Sequence, residues 1–454
     1  MSPHNAMRGL ARRGLIVLLA MAAVLVVAGV WLLGGPSPTG FSRGEKVALA
    51  DYRDANPAGV PASRAGESLQ KRGEYLAKAA DCLVCHTARG GKPFAGGFAF
   101  TLPFGKIYST NITPDKDTGI GAYTDTQFLA AMHRGIRRDG ARLYPAMPFA
   151  SYTYMTDEDA LAIKAYLFSL PPVHAPARAN TLSFPFNQRP LMAFWTLFFN
   201  PDQRFRADAS QSPEWNRGAY LAEALAHCGE CHTPRNLAFA LNERRKFAGA
   251  ITGGWYAYNI SADRDTGIGA WSDEAVLQYL QHGHATGHGA ASGPMGEAVA
   301  ESLSQLDPDD LRALVRYVRS VPAVRSGDLP AQLAGLATFS HREGPGSNNV
   351  LGKQVYEGAC ASCHGWSGES PLTPVATLTG ARAVNDPKAT NVVQIALAGG
   401  AGGMHGGVQM PAFGAIYSDA EIAALANYVT ARFGSKGASL DARAVASLRA
   451  QSAQ

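Results

Sequence analysis

The feature that most constrains this chain is a five-residue pattern, Cys-x-x-Cys-His, which occurs three times. It reads "CLVCH" at 82–86, "CGECH" at 228–232 and "CASCH" at 360–364. All six cysteines of the chain belong to these segments. A disulfide framework does not normally place every cysteine in a Cys-x-x-Cys pair directly before a histidine. One chemistry must therefore account for the three segments together.

Two common uses of paired cysteines fit this pattern poorly. A structural zinc site joins two Cys-x-x-Cys hooks about 15–20 residues apart, but Cys85 and Cys228 are 143 residues apart and Cys231 and Cys360 are 129 apart. A thioredoxin-like dithiol needs one pair on a βαβ unit and has no use for the histidine. No β-rich alternation surrounds any of the segments.

Covalent attachment of haem c accounts for every position of the pattern. The two thiols add to the vinyl groups of haem, and the histidine that follows binds the iron. An apolar pattern at helical spacing precedes each segment. The sequence therefore predicts three covalent haem c groups. The predicted haem-binding residues are Cys82, Cys85, His86, Cys228, Cys231, His232, Cys360, Cys363 and His364.

An internal repeat relates the first two haem segments. "NITPDKDTGIGAYTD" at 111–125 matches "NISADRDTGIGAWSD" at 259–273 position for position, with conservative changes. This indicates an internal duplication. Amphipathic helical patterns at 156–173, 307–324 and 418–434 each close one unit.

The predicted fold class is mainly α, with three tandem cytochrome c-like domains preceded by an N-terminal transmembrane helix. High Gly and Pro contents, 49 and 27 residues, favour short helices and many turns. The predicted segments are an anchor at 1–40, a linker at 41–68, domain 1 at 69–175, a connector at 176–209, domain 2 at 210–324, a linker at 325–345, domain 3 at 346–435 and a tail at 436–454.

Methionine is the predicted sixth ligand of each iron, because a His/Met pair suits electron transfer. Met147 and Met295 each lie 36 residues after the first asparagine of their repeat. Met410 stands in "GGVQMPAFG", which shares Met-Pro and a phenylalanine close behind it with "AMPFA" of the first unit, and Met404 lies nearby. The predicted iron ligands are His86, Met147, His232, Met295, His364 and Met410.

Six further histidines are competing ligand candidates: His133, His227, His282, His284, His288 and His405. The Gly-rich run "QHGHATGHG" is predicted to be an exposed loop beside the second haem. With one methionine for each haem, no iron has an open position for a substrate. The chain is therefore predicted to carry electrons and to have no catalytic residue for a metabolite.

The N-terminus contains 19 apolar residues, Leu15 to Leu33, preceded by Arg8, Arg12 and Arg13. A bilayer-spanning helix needs about 20 apolar residues, and basic residues stay on the cytoplasmic side. The run is predicted to anchor the chain in the bacterial inner membrane with the haem domains in the periplasm. A long cleaved signal is the alternative. The net charge of +5 is small, and no basic cluster with aromatics indicates nucleic acid.

The three Cys-x-x-Cys-His units and the two related "DTGIGA" stretches resemble the triheme cytochrome c subunits of membrane-bound periplasmic dehydrogenases. The connector "FPFNQRPLMAFWTLFF" at 184–199 supports this resemblance, which covers about residues 69–435. It implies a partner subunit that oxidises an organic substrate, with electrons passing through this chain to ubiquinone or another respiratory acceptor.

The retained N-terminal helix favours, through the resemblance, an aldehyde dehydrogenase partner with molybdenum and a small iron–sulfur subunit. The alternative is a quinoprotein alcohol or flavoprotein sugar-acid dehydrogenase. A haem peroxidase, which needs a five-coordinate haem, and a free electron shuttle are further alternatives. The aromatic connector is expected either to contact the membrane or a quinone, or to pack between the first two units.

Overall fold

The computed structural model describes residues 15–26, 29, 61–200, 202–327, 329–331, 349–400 and 409–452. Within these ranges the chain is mainly helical, as predicted, with three small antiparallel hairpins. Residues 15–26 form a helix with exposed apolar side chains. Among the described residues, no helix is both long and apolar enough to cross a bilayer. The predicted span also includes 27–28 and 30–33, which lie outside the described residues.

Unit 1, predicted at 69–175, arranges short helices around its cysteine segment. Its first and last helices begin at Ser68 and Thr156, whose hydroxyls accept backbone N–H bonds from the first turn. The last helix ends at Ser169, before Pro171, because a residue that precedes proline is pushed out of the helical region. The elements are α1 Leu69–Ala79, α2 Cys82–Cys85, β1 Ala99–Leu102, β2 Gly105–Tyr108, α3 Asp125–Arg134, α4 Phe149–Tyr152 and α5 Asp157–Ser169.

Unit 2 repeats this order after a connector that carries α6, Leu191–Phe199. The run at 281–289 was predicted as an exposed loop. Its first two residues instead end α9, and the rest belongs to a partly buried hairpin against unit 3. There the backbones of Gly287 and Gly380 touch, since a Cβ on Gly380 would lie 2.7 Å from the Gly287 carbonyl oxygen. The elements are α7 Pro213–Tyr220, a π-helical turn Leu221–Leu225, α8 Gly229–His232, β3 Ala250–Thr252, β4 Trp255–Ala257, α9 Asp273–His282, β5 His284–Ala285, β6 Gly289–Ala290, α10 Gly293–Glu301 and α11 Pro308–Val318.

The π-helical turn marks the one place where the duplicated units differ in length before the cysteines. Six residues separate Leu76 from Cys82 in sequence number, whereas seven separate Leu221 from Cys228. An α-helix absorbs a single extra residue as a π-bulge. The cysteine turn of unit 2 can therefore follow its first helix in the same way as in unit 1, despite the extra residue.

Unit 3 has its own apolar core, separate from the single core that units 1 and 2 share. The tail, predicted at 436–454, contains a helix whose Val445 is fully buried in the core of unit 3. The unit therefore extends beyond the predicted boundary at 435. Its elements are α12 Val350–Ala359, α13 Ala361–His364, α14 Thr390–Ala398, α15 Asp419–Phe433 and α16 Ala442–Ser452.

In all three units the first and last helices cross with their backbones in contact. A Cβ placed on Gly73 would lie 1.8 Å from the carbonyl oxygen of Ala162 in α5. Only a residue without a side chain fits at such an approach. The same crossing recurs at Gly218 with Ala313, at 1.9 Å, and at Gly352 with Ala424, at 2.2 Å.

Units 1 and 2 are joined by two reciprocal hydrogen bonds between buried groups. The Tyr75 hydroxyl donates to Asp310 in α11, and the Tyr220 hydroxyl donates to Asp159 in α5, each at 2.6 Å. Each carboxylate also pairs with an arginine of its own unit, Arg217 with Asp310 and Arg72 with Asp159. The duplicated units therefore exchange one tyrosine each across a shared core.

The helix crossing gives a stability prediction for Gly352. Replacing Gly352 by Ala places a methyl group against a backbone carbonyl that no rotamer change can move, so we expect a loss of about 1–3 kcal/mol. Gly358 in the same helix is the control, because a Cβ there meets nothing within 4 Å. Gly358→Ala should raise stability by up to about 1 kcal/mol. Guanidinium unfolding followed by circular dichroism measures both, and equal effects would contradict the close crossing.

Candidate haem sites

Each Cys-x-x-Cys-His segment forms one short helical turn directly after the first helix of its unit. The turns are α2, α8 and α13, which follow α1, the π-helical turn and α12. A single turn brings two side chains three positions apart onto one face of the helix. None of the six thiols forms a disulfide. Each unit therefore presents two free thiols side by side, as attachment to two vinyl groups requires.

The three histidines that follow are held in one tautomer. The Nδ1 atoms of His86, His232 and His364 lie 2.7, 2.6 and 2.5 Å from the carbonyl oxygens of residues 110, 258 and 376. A carbonyl can only accept, so Nδ1 carries the proton and Nε2 keeps its lone pair. This is the arrangement that a metal-binding imidazole uses. The sequence did not identify these carbonyls, which lie 12 to 26 residues further along the chain.

The repeated "NIT" stretch explains how unit 1 fixes its carbonyl. The Asn111 side chain donates to the carbonyl oxygen of Val173, just after α5, at 2.7 Å, and to Thr118 Oγ1 at 3.1 Å. Its Oδ1 accepts from the backbone and hydroxyl of Thr113. Asn111 is 2% exposed, so these bonds are shielded from water. These bonds hold the loop in place next to Thr110, whose carbonyl accepts the hydrogen bond from Nδ1 of His86.

Unit 2 uses the same side chain in the same way. Asn259 donates to the carbonyl oxygen of Val324 at 2.6 Å and to Thr266 Oγ1 at 3.0 Å, and it accepts from Ser261. The carbonyl that receives the His232 proton belongs to Tyr258, the residue before it. The repeated motif therefore orients the imidazole, a role that its spacing alone did not indicate.

Unit 3 lacks this motif and fastens its carbonyl differently. Ala376 ends a short 3₁₀ turn, Pro374–Ala376, whose first turn is capped by Thr373. The Ser370 hydroxyl donates to the Cys363 carbonyl at 2.6 Å, which ties this loop to the cysteine segment. The third site therefore reaches the same imidazole geometry through an unrelated loop.

Burial sets the protonation state of the thiols and imidazoles. Loss of hydration raises the pKa of Cys82 and Cys228 to about 12 and that of Cys231 and Cys360 to about 11. A redox-active dithiol requires a lowered thiol pKa instead. Burial also lowers the pKa of His86, His232 and His364. The imidazoles are therefore neutral, as ligation of iron requires.

The predicted methionine ligands lie in three different settings. Met147 and Met295 are half-buried against the shared core of units 1 and 2, Met147 just before α4 and Met295 within α10. Met410 is half-buried in unit 3, and its carbonyl accepts from the Gly400 N–H at 3.0 Å. Met404 and His405 lie outside the described residues. The three assignments as iron ligands stay predictions.

The other histidines have structural surroundings of their own. His133 is fully buried, with Nδ1 3.6 Å from Asp157, and burial together with the Arg204 charge holds its pKa well below the ordinary value. His227 packs edge-on against Tyr152, and His288 stacks on Trp271. Within the described ranges, no three His, Cys, Asp or Glu side chains are grouped to hold a metal ion.

The asparagine clamp gives a testable consequence. Asn259→Ala leaves the Val324 carbonyl and the Ser261 hydroxyl without their buried partner, so we expect a loss of about 1–3 kcal/mol. Urea unfolding monitored by circular dichroism measures it, with Asn111→Ala as the equivalent change in unit 1. Asn187→Ala is the control, because that side chain is exposed. Unfolding curves that match the control would contradict the clamp.

Comparison with known proteins places the chain among haem proteins. The cytochrome c family model matches residues 70–171 and 350–432. A fructose dehydrogenase cytochrome subunit of Gluconobacter japonicus is 41% identical over 86% of this chain and 84% of its own length. A gluconate 2-dehydrogenase cytochrome c subunit of Pantoea cypripedii is 37% identical over 86% and 92%. One chain of the nicotinate dehydrogenase of Pseudomonas putida is 42% identical over 69% of this chain but only 26% of its own length.

Proposed function

Since the chain belongs to the cytochrome c subunits of dehydrogenases, we propose that it conducts electrons through three covalent haems from a catalytic dehydrogenase subunit to ubiquinone. The observation that carries this proposal is the threefold recurrence of two free thiols and one oriented imidazole. Haem c supplies an iron that changes its oxidation state without the loss of a ligand. The chain supplies the attachment, the orientation of the imidazole and the burial.

The proposed methionine ligands make the chain a carrier and not a catalyst. Met147, Met295 and Met410 would fill the sixth position of the three irons, which leaves no room for a peroxide or an organic substrate. The catalytic step then takes place in a different protein of the complex. A five-coordinate, high-spin spectrum of the isolated chain would favour the peroxidase alternative instead.

Units 1 and 2 are built for transfer between their two sites. The Ser151 hydroxyl, in the helix after Met147, donates to Glu230 within the cysteine segment of unit 2 at 3.0 Å. In the opposite direction, α10, which contains Met295, packs against α2 of unit 1. The segments that carry Met147 and Met295 therefore each lie against the cysteine turn of the other unit. This supports direct electron exchange between the first two haems within one rigid core.

The comparisons support a partner that oxidises a sugar, a sugar acid or an alcohol. The fructose and gluconate dehydrogenase cytochrome subunits match this chain over most of both lengths. The match to the nicotinate dehydrogenase chain keeps a second class in view, although it covers about a quarter of that protein. The aldehyde dehydrogenase partner, which the N-terminal run favoured, stays a prediction.

Co-purification tests the partner. The chain is extracted from its native membrane in mild detergent, and the proteins that accompany it are identified by mass spectrometry. We expect a flavoprotein or quinoprotein dehydrogenase that reduces the haems when its sugar or sugar acid is added. A molybdenum-containing chain with an iron–sulfur chain would replace this partner with the aldehyde type. Purification without a dehydrogenase would contradict the subunit role and support the free electron shuttle.

We also propose that the chain attaches to the periplasmic face of the inner membrane through two features. The first is the apolar N-terminal run, of which residues 15–26 form an exposed helix. The second is α6, which has no buried residue. Its outer face carries Phe194 and Leu197, which are 65% and 71% exposed. Phe184, earlier in the connector, is 78% exposed, and Leu237, next to the Ala238 that bonds Trp195, is 93% exposed. Such a patch suits the acyl boundary of a bilayer.

The two faces of the connector helix α6 suit different roles: one packs between units 1 and 2, and the other is exposed and available for membrane contact. Trp195 packs inward, with Nε1 donating to the carbonyl of Ala238 at 2.9 Å and its ring edge-on to Phe149. Packing between the units therefore falls to Trp195, and membrane contact falls to the exposed face. A substitution of Trp195 would disturb the packing of α6 and with it the position of the exposed face. The test of membrane contact therefore uses the exposed residues.

Exchanging Phe194 and Leu197 for serine tests the membrane contact. Each buried side chain of this size contributes about 1.5–3 kcal/mol, so we expect at least about a tenfold loss of labelling of α6 by a photoreactive lipid in proteoliposomes. The unfolding midpoint should not change, because both residues are exposed. Leu372→Ser in unit 3, at a position 61% exposed, is the control. Undiminished labelling would exclude α6 from the membrane surface.

A further inference from the structure

Units 2 and 3 meet through polar contacts that involve the loop which orients His232. The Asn391 side chain bonds both the N–H and the C=O of Tyr256, at 2.8 and 2.9 Å. The Tyr258 hydroxyl donates to Asp386 of unit 3 at 3.3 Å. The backbone carbonyl of the same Tyr258 accepts the hydrogen bond from Nδ1 of His232. Unit 3 therefore lies directly against the proximal side of the haem site of unit 2.

Arg382 lies at this junction and is 7% exposed. Its Nη1 donates to the carbonyl of Pro330 at 3.1 Å, and its backbone N–H donates to the carbonyl of His288 at 3.2 Å. Its Nε and Nη2 are buried and have no hydrogen-bond partner among the described residues. A buried charged donor without a partner is costly, because the full loss of its hydration is uncompensated.

The carboxylate of Asp386, which acts electrostatically on Arg382, does not satisfy these donors. Asp386 accepts from the Tyr258 hydroxyl and from the N–H of Lys388, at 3.3 and 2.9 Å, and burial raises the pKa of its carboxyl group. Burial also lowers the pKa of Arg382 itself. The arginine therefore has a weak counter-charge in the protein, and Nε and Nη2 have no protein acceptor among the described residues.

The unused edge has the shape of a carboxylate site. Nε and Nη2 are the two parallel donors with which a guanidinium grips a carboxylate side-on. Arg217 in this chain uses the same two nitrogens on Asp310, at 2.8 and 2.7 Å. Haem carries two propionate carboxylates on the edge opposite its vinyl groups. A carboxylate of this kind has to find partners where the haem meets the protein.

We propose that Nε and Nη2 of Arg382 bind a haem propionate at the junction of units 2 and 3. Two haems are possible sources of this carboxylate. The Arg382 guanidinium lies 5.9 Å from the ring of Tyr258, whose carbonyl orients His232. It also follows Ala376, whose carbonyl orients His364, by six residues. The inference rests on the proposed haems of units 2 and 3.

The test compares Arg382→Gln with the parent chain, both purified with their haems in detergent. The haem content is measured first, and each haem is then titrated spectroelectrochemically at several pH values. We expect three haems in both proteins and a fall in one midpoint potential in the variant. The midpoint potential should fall because removal of a nearby positive charge stabilises the ferric haem, which is more positive than the ferrous haem. That potential should also become pH-dependent, because an unpaired propionate takes up a proton more readily.

Two further variants give the result its meaning. Arg382→Lys keeps the charge but loses the side-on pair of hydrogen bonds. The haem potential should therefore fall less than in Arg382→Gln, but it should still depend on pH, unlike that of the parent. Arg312→Gln removes a charge from an exposed pair with Asp309 and should leave all three potentials unchanged. Combining Arg382→Gln with Met295→His or Met410→His, which lowers the potential of one identified haem, shows whether the propionate belongs to unit 2 or unit 3.

The outcomes separate this inference from the function on which it rests. Titration curves of Arg382→Gln that match those of the parent at every pH would overturn propionate binding. Absence of a haem from unit 2 or unit 3 of the parent would instead refute the proposed three-haem carrier. Where Arg382→Gln loses haem, Arg382→Lys carries the test, and an unshifted, pH-independent set of potentials in that variant overturns the inference.

Discussion

The close crossing of the first and last helices of each unit fixes the position of everything around the cysteines. At Gly73, Gly218 and Gly352 two backbones touch, so the angle and height of the two helices have little freedom. The cysteine turn follows the first helix directly, and in units 1 and 2 the asparagine clamp is tied to the end of the last helix. The thiols and the carbonyl that orients the imidazole are therefore both placed by one contact. A shift at the crossing would move the attachment of the haem relative to its ligand.

The duplicated units use this scaffold to bind each other, and the third unit does not. Tyr75 and Tyr220 cross to the buried aspartates of the opposite unit, three positions before the alanines at the crossings. In unit 3 the corresponding acid is Glu421, which is half-exposed and caps its own helix with Ser418. Without a buried acid to receive a tyrosine, unit 3 keeps a separate core. The duplication thus accounts for the shared core of units 1 and 2 as well as for their similar sequences.

The sequence predicted the elements whose signals are local. Three cysteine turns, the helices that precede and close each unit, and the mainly α class follow from spacing and apolar periodicity. The partners of the imidazoles, the clamp of Asn259 and the orphaned edge of Arg382 depend on residues that are distant in sequence, so no local pattern contains them. The exposed-loop prediction for 281–289 was wrong because its glycines allow the backbone of this segment to approach unit 3 closely. The tail at 436–454 was predicted to lie outside domain 3 for a similar reason. Val445 is buried only because its helix packs on unit 3, and this contact has no local signal in the sequence.

The two junctions between the units differ in chemistry, and this difference bears on how electrons would cross them. Units 1 and 2 join through an apolar core with a few buried charged pairs, which excludes water and holds their sites at a fixed separation. Units 2 and 3 join through asparagine, tyrosine and arginine side chains beside the imidazole of unit 2. A charge at the second junction would act on a haem iron bound by His232 with little screening, because a low local dielectric strengthens electrostatic interactions. With haems bound as proposed, the first junction would fix the distance between two of them, and the second would be the place where the protein sets the potential of one.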